Sequence, residues 1–209
     1  MSGNLRVSAV LLAAGLSRRL GRNKLLLPAG GMAVVRRAAL ALLGSKAAEV
    51  IAVTGHEAGE VRAALEGLDL RFVHNPRYAE GQSTSVRAGL ARAAPDAGGI
   101  LFALGDQPLV TAALVNRLIE AFAAARPGAL AAALYSGDRR GTPTLFSAEL
   151  RGEIARVEGD EGGRGILERL EAEAPGRLLA VPAGREEVFL DLDTETDYAK
   201  LLDRFGERG

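Results

Sequence analysis

Short apolar runs recur along the chain, and longer segments of mixed polarity separate them. The runs occupy residues 7–14, 50–55, 70–75, 98–105 and 129–135. Most are apolar at successive positions instead of at every second one, which is typical of strands in a parallel sheet covered by helices on both faces. We therefore expect each run to form a buried strand.

The segments between these runs carry apolar residues at a spacing near 3.6, the period of an α-helix. The two clearest stripes consist of Val34, Val35, Ala38, Ala39, Leu42 and Leu43, and of Leu114, Val115, Leu118, Ile119 and Phe122. Alternation of strands with such helices predicts an α/β fold: a doubly wound, mostly parallel sheet with helices on both faces, of Rossmann-like type.

The pattern is less regular after about residue 135. Residues 139–146 predict a loop that runs into a short strand, whereas residues 178–184 and 187–193 each predict a further strand. Capping residues and a helical stripe follow at the end of the chain. We interpret residues 1–209 as one domain with a looser subdomain at about 136–190.

Composition limits the classes of partner. The chain has 209 residues, 48% of them hydrophobic, with 26 basic and 26 acidic side chains. Balanced charge gives no general attraction to nucleic acid or anionic lipid, so an anion site must be local. The sequence has no cysteine, which excludes disulfides and thiolate chemistry. The N-terminus lacks the apolar core of a signal peptide, so we expect a cytoplasmic protein without nucleic-acid or membrane partners.

The first predicted strand is followed by small residues and then by cations. These are Ala13, Ala14 and Gly15, and then Arg18, Arg19, Arg22 and Lys24. Ligands of open α/β sheets lie beyond the carboxyl ends of the strands, and small residues let a ligand approach the backbone. The segment has neither the Walker spacing nor the dinucleotide fingerprint. It predicts a phosphate-binding loop, with a solvated basic loop as the alternative.

Two aspartates follow apolar segments, Asp106 after residues 98–105 and Asp193 after residues 187–192. Mg²⁺ prefers few carboxylates together with waters and substrate phosphates, so both positions suit a hard cation. The alternative is a helix cap. Thr111 is a better cap than Asp106 for the helix that follows, whereas for Asp193 the capping role stays open.

A helix is expected to begin at Gly81 to Ser85, where free backbone N–H groups attract anions. Gln82, Ser83 and Ser85 could contact a ligand there or simply cap the helix. His56 and His74 are the only histidines. We interpret both as structural or solvated, because two histidines without a cysteine make a zinc site improbable.

Five segments in order resemble motifs of one family. LAAGLSRRLGRNK (12–24) is similar to L-A-[AG]-G-x-S-x-R-[ML]-G-x-x-K, and the others are NPRYAEGQSTS (75–85), GDQPLV (105–110), GDEGGR (159–164) and DLDTETD (191–197). The chain thereby resembles the MobA-like nucleotidyltransferases over nearly its whole length. The likeness is strongest to the molybdenum cofactor cytidylyltransferases.

The resemblance implies Mg²⁺-dependent transfer of CMP from CTP to the terminal phosphate of molybdenum-bearing molybdopterin, with release of pyrophosphate. It implies catalytic roles for Arg19, Lys24 and Asp106, and a metal site on Asp106 and Asp193. The implied nucleotide-binding residues are Leu12, Ala13, Ala14, Gly15, Ser17, Arg19, Lys24, Gly81, Gln82, Ser83, Ser85 and Asp106. A phosphate acceptor is already an anion, so no general base is required.

Alternatives remain open. The acceptor could be a sugar phosphate or another cofactor phosphate; methylerythritol phosphate is less favoured because the P-K-Q-type continuation is missing. The protein could instead be a non-catalytic assembly factor that docks on a molybdenum hydroxylase or its maturation chaperone, or an oxidoreductase. Where the family often has G-[HN]-P, this chain has Gly141, Thr142 and Pro143. Ala14 stands where relatives that use GTP have glycine, which predicts a preference for CTP.

Overall fold

The computed structural model describes residues 5–17, 20–160 and 162–206. Its strands are β1 (Val7–Ala13), β2 (Pro28–Ala29), β3 (Met32–Ala33), β4 (Glu49–Thr54), β5 (Arg71–His74), β6 (Gly99–Leu104), β7 (Ala131–Ser136), β8 (Arg139–Ser147) and β9 (Leu178–Pro182). Its α-helices are α1 (Val34–Leu43), α2 (Ala58–Ala64), α3 (Gln82–Leu90), α4 (Ala112–Ala125), α5 (Arg151–Ile154), α6 (Arg164–Glu173) and α7 (Glu195–Arg204). All five apolar runs predicted as strands form strands. The expectation of burial was wrong for β5, an edge strand in which Arg71, Phe72 and His74 are exposed.

A central sheet of seven strands has the order β5-β4-β1-β6-β8-β7-β9. Strands β5, β4, β1 and β6 are parallel, β8 runs antiparallel to β6 and β7, and β9 is parallel to β7. The prediction of a mostly parallel, doubly wound sheet is confirmed. Because β1 and β6 are adjacent and parallel, the segments that follow them meet at one edge of the sheet.

The two faces of β1 pack against different helices. Leu11 and its neighbours at every second position lie in a cluster with residues of α1 and α4, such as Val35 and Leu118. Val10 and Leu12 lie in a second cluster with residues of α3 and α6. Full burial of an aliphatic side chain contributes about 1.5–3 kcal/mol, so two clusters of this size fix the sheet between two helical layers.

Two expectations for the second half were wrong. Residues 139–146 are not a loop: β8 extends from Arg139 and forms an antiparallel hairpin with β7, because a tight turn at Gly137 (φ 56°) reverses the chain. Residues 187–193 are not a strand: Glu186–Phe189 is a 3₁₀ helix. Its adjacent Val188 and Phe189 are both buried, which a half-buried strand could not achieve. The prediction of a strand in residues 178–184 is confirmed by β9, and the division into domain and subdomain stays a prediction.

A third cluster fixes the end of the chain beside the segment that follows β1. Leu192 and Leu201 pack on Leu27, Ala29 and Val34. Helix α7 begins with a capping box in which Thr194 is the N-cap, so Asp193 is not the cap. This packing brings the residues before α7 to the carboxyl edge of the sheet. Within the described part of the chain, no helix is long and apolar enough to cross a membrane.

Candidate active site

A cavity of about 460 Å³ opens beyond the carboxyl ends of β1 and β6. Ten residues predicted from the sequence line it: Leu12, Ala14, Gly15, Ser17, Lys24, Gly81, Gln82, Ser85, Asp106 and Asp193. The fold thus gathers residues from four separate segments around one cavity.

Of the predicted residues that the structure describes, two do not line the cavity. Ala13 is fully buried, and its methyl lies in the cluster on the α1 and α4 side of the sheet. Ser83 is 1% exposed, and its backbone N–H donates to Gly159 O at 3.0 Å. Arg19 lies outside the described residues. The alternation of side chains along β1 explains why Ala13 and Ala14 differ.

Lys24 lies at the centre of the site. It begins a 3₁₀ turn (Lys24–Leu26) whose N-cap, Asn23, accepts a hydrogen bond from Leu25 N, and Ser17 Oγ accepts one from Lys24 N at 3.1 Å. These contacts aim the side chain inward. Its Nζ lies 2.5 Å from Asp106 Oδ2 and donates to Asp193 Oδ1 at 2.9 Å.

The two carboxylates control the charge of this lysine. Burial opposes the ammonium form, but the charges and hydrogen bonds of Asp106 and Asp193 outweigh it and raise the pKa of Lys24 above its ordinary value. Lys24 is therefore a cation at neutral pH. Two carboxylates around one ammonium leave an excess negative charge, which favours binding of a further cation at this point.

Asp191 also belongs to the site, and sequence analysis missed it as a candidate. Burial raises the pKa of Asp191; a hydrogen bond from Gln107 Nε2 (2.8 Å) opposes this shift, and the nearby charge of Asp106 adds to it. The available signal was the D-x-D spacing of Asp191 and Asp193. The predicted strand would have placed both carboxylates on one face.

A second cavity of about 590 Å³ adjoins the first and shares Leu12, Gln82 and Leu104 with it. Each of its three arginines has an acidic partner: Arg139 with Glu186 (3.0 Å), Arg140 with Glu171 (2.5 Å) and Arg164 with Glu168 (2.8 Å). The charges of the three arginines are therefore neutralised by their partners, although the cavity remains polar. Such a cavity suits a ligand with hydrogen-bonding edges at least as well as a highly charged ligand.

The N-terminus of α3 differs from the expectation of free N–H groups. Gln82 N donates to Asp160 Oδ1 at 3.2 Å, and the loop that follows α5 also satisfies Ser83 N. Gly81 has φ 115°, and a Cβ on it would lie 2.6 Å from Gly159 O. Glycine is therefore required there for close backbone packing. Asp160, which the sequence did not single out, lines the first cavity.

One wall of the first cavity is built from small and aromatic side chains. A Cβ on Gly55 would lie 2.8 Å from Ala14 Cβ and 2.6 Å from Tyr78 Cβ, so the three residues are in close contact. His56 N donates to Ala14 O at 3.3 Å, and its ring centroid lies 6.1 Å from that of Tyr78. These contacts give His56 a packing role beside the wall.

The two carboxylates of the site fit a magnesium ion whose coordination is completed by substrate oxygens. Among the residues that the structure describes, no group of three or more histidine, cysteine and acidic side chains is placed to hold a metal ion. Asp106 and Asp193 converge on one point, the Lys24 ammonium. Mg²⁺ commonly takes one or two carboxylates, with waters and substrate phosphates as its remaining ligands.

Characterised relatives resemble the chain over nearly its full length. It is 36% identical over 204 residues to nicotine blue oxidoreductase from Paenarthrobacter nicotinovorans, covering 94% of this chain and 96% of the relative. It is 26% identical over 203 residues to the molybdenum cofactor cytidylyltransferase of Escherichia coli, covering 96% and 98% of the two chains. The names of the two relatives describe different activities.

Solved structures share the fold. A nucleotidyl transferase from Methanothermobacter thermautotroptrophicus superposes with a TM-score of 0.83 at 31% identity, covering 97% of this chain and 98% of the other. A Mycobacterium tuberculosis protein in complex with manganese superposes with a TM-score of 0.73 at 33% identity, covering 95% and 98%. Residues 9–174 match the family described as MobA-like NTP transferase domain, and the chain belongs to that family.

Proposed function

We propose that this protein transfers CMP from CTP to the terminal phosphate of molybdenum-bearing molybdopterin and uses Mg²⁺. The observation that carries the proposal is the Lys24 ammonium held by Asp106 and Asp193 on the floor of a cavity whose wall includes Ala14 and Gly15. Membership of an NTP transferase family and the cytidylyltransferase relative support it.

Each residue has a proposed part in the transfer. Lys24, together with Arg19, binds the triphosphate, while Asp106 and Asp193 are the residues that would hold Mg²⁺. The metal, when bound, supplies positive charge against the α-phosphate. The nucleotide occupies the first cavity, in contact with Leu12, Ala14, Gly15, Ser17, Gly81, Gln82 and Ser85.

The acceptor is proposed to occupy the second cavity. An oxygen of its phosphate forms a bond to the α-phosphorus of CTP while the bond to the β-phosphate breaks, and pyrophosphate leaves. The acceptor oxygen is already anionic, so positioning and charge neutralisation account for the rate. We place this activity in the cytoplasm, with a molybdenum hydroxylase or its maturation chaperone as the partner that receives the product.

A second candidate is the same transfer to a different acceptor. The three paired arginines and Thr142 in the second cavity favour it, because none of them is specific for a pterin. The relative named nicotine blue oxidoreductase supports two further candidates. One is an oxidoreductase activity, and the other is a non-catalytic role in assembling an oxidoreductase.

Pyrophosphate release separates these candidates. The purified protein is assayed with each of the four nucleotides and Mg²⁺, with and without molybdopterin that carries molybdenum, and Asp106→Asn is the control. We expect release with CTP only when the acceptor is present. If pyrophosphate is released with a sugar phosphate and not with molybdopterin, the sugar phosphate is the acceptor. No release of pyrophosphate under any condition would contradict the transferase proposal.

A further inference from the structure

Gln107 lines the second cavity and makes two side-chain hydrogen bonds. It directly follows Asp106 and is 4% exposed. Its Nε2 donates to Asp191 Oδ1 at 2.8 Å, and its Oε1 accepts from Thr142 Oγ1 at 2.5 Å. A buried amide with a defined partner at each end has a single orientation.

The direction of these hydrogen bonds follows from the chemistry of the groups. The amide NH₂ of Gln107 faces Asp191, whose Oδ1 accepts its hydrogen bond. The amide oxygen then faces Thr142, whose hydroxyl must donate. The order Thr142, Gln107, Asp191 is therefore fixed, and Thr142 orients the amide that holds the carboxylate.

Separate contacts on several sides hold the segment that contains Asp191. It lies between the 3₁₀ helix Glu186–Phe189 and α7, outside any regular element. Leu192, fully buried, anchors its side chain in the cluster under α7. Gln107 anchors Asp191 on the other side, and a backbone hydrogen bond of 3.1 Å joins Asp193 N to Asp191 O. Together with the hydrogen bond from Lys24 Nζ to Asp193 Oδ1 (2.9 Å), these anchors hold the Asp193 carboxylate in the site.

We propose that Gln107 is a positioning residue that holds Asp193 in register with Asp106, and that Thr142 fixes its orientation. The inference rests on the proposed function, because it takes Asp106 and Asp193 as the metal carboxylates. It also accounts for Thr142, which replaces the histidine or asparagine expected from the family. All three residue types can donate a hydrogen bond to the amide oxygen of Gln107.

The test measures metal affinity in the absence of turnover. Mn²⁺ alone is titrated into the full-length protein and the free ion is followed by electron paramagnetic resonance. The variants are Gln107→Leu, which removes both hydrogen bonds, and Thr142→Val, which removes the donor at nearly constant volume. Thr142→Ser keeps the hydroxyl donor and removes only the methyl group. Thr144→Val is the matched control, since Thr144 lines the same cavity but makes no hydrogen bond to Gln107 among the described contacts.

We expect Gln107→Leu to weaken Mn²⁺ binding about tenfold, the usual effect of losing one hydrogen bond to a charged group. Thr142→Val loses a hydrogen bond between neutral groups and should weaken it about fivefold. Thr142→Ser and Thr144→Val should stay within about twofold of the wild type. Affinities of Gln107→Leu and Thr142→Val that equal the wild type would overturn the inference. If Gln107→Leu does not fold, the comparison of Thr142→Val with Thr142→Ser decides.

The failure of the inference can be distinguished from the failure of the proposed function. A wild type that binds Mn²⁺ and releases pyrophosphate, together with variants of normal Mn²⁺ affinity, would refute only the role of Gln107. A wild type that neither binds Mn²⁺ nor releases pyrophosphate would refute the metal site, and the inference with it.

Discussion

The ammonium nitrogen of Lys24 lies 2.5 Å from Asp106 Oδ2, although the two residues belong to different loops. The contact exists because β1 and β6 are neighbouring parallel strands, so the segments beyond their carboxyl ends meet. Both side chains are largely buried, 17% and 12% exposed, which shields the pair from water. Lys24 neutralises the carboxylate and also lies within reach of a ligand in the first cavity.

Replacing Lys24 with alanine should mainly weaken nucleotide binding. A charge-assisted hydrogen bond to phosphate is worth about 1.5–3 kcal/mol, which corresponds to roughly a tenfold to hundredfold loss. Calorimetric titration with CTP and Mg²⁺ measures the dissociation constant. Lys46→Ala is the control, because Lys46 is 60% exposed and pairs with Glu120 on the surface. An unchanged dissociation constant and transfer rate in Lys24→Ala would show that Lys24 does not contact the triphosphate.

Replacing Asp106 or Asp193 with alanine should abolish turnover while the protein remains folded. Each change removes one of the two carboxylates that converge on the Lys24 ammonium and that we assign to the metal. Pyrophosphate release against Mg²⁺ concentration, together with thermal unfolding, measures both effects. Asp96→Ala serves as the control, since Asp96 forms an exposed ion pair with Arg6. Turnover at the wild-type rate in either variant would remove that residue from the metal site.

The carboxylate of Glu49 should stabilise the fold in a pH-dependent way. Burial opposes its ionisation, but hydrogen bonds from Ser8 Oγ (2.6 Å) and Ala94 N (2.8 Å), and then Arg71, hold the pKa of Glu49 below its ordinary value. Because the folded state lowers this pKa, the stabilisation is fully present above the unfolded value of 4.5. It is lost as the pH falls through the lower pKa of the folded state.

Glu49→Gln should therefore lower the free energy of unfolding by about 1–3 kcal/mol at pH 7. The difference from the wild type should shrink once the pH falls below about 4.5. Urea unfolding at a series of pH values measures both quantities. Glu120→Gln, which breaks an exposed ion pair, should change stability little at any pH. An equal difference at pH 7 and at acid pH would mean that Glu49 acts through packing and not through its charge.

Local periodicity was sufficient to predict most of the parallel part of the fold. Every residue of the predicted stripe from Leu114 to Phe122 is buried in α4, and Thr111 is the N-cap, as expected. The same reasoning failed for residues 187–193, because periodicity alone does not distinguish a short buried strand from a buried helical turn. The β7–β8 hairpin was missed because pairing between strands depends on partners distant in the sequence.

The residue pattern predicted the site where a general rule of the fold applies, and the family motifs supplied the other positions. Lys24 and Asp106 follow strands, so the carboxyl-end rule places them together. Asp193 follows a 3₁₀ helix and reaches the site because α7 packs on Leu27 and its neighbours. The hydrogen bonds from Thr142 to Gln107 and from Gln107 to Asp191 join three separate segments, and no spacing in the sequence encodes that arrangement.

The choice of base should depend on the wall formed by Ala14 and Tyr78, both of which contact Gly55. Ala14 lines the first cavity, and its methyl is packed against Gly55, so it cannot retreat from a larger ligand. Overfilling a packed site costs about 1–3 kcal/mol, and we therefore expect CTP to exceed GTP in kcat/KM by roughly tenfold or more.

Ala14→Gly should reduce this ratio because it returns the volume of one methyl to the cavity. Ala13→Gly is a matched control: it deletes the same methyl one residue earlier, on the opposite face of the sheet. It should leave the ratio unchanged, even if the strand becomes less stable. A wild type that prefers GTP would contradict the cytidylyl assignment. A ratio unaffected by Ala14→Gly would move base selection to another part of the cavity, of which Gly81 to Ser85 is the first candidate, because Gly81, Gln82 and Ser85 line the same space.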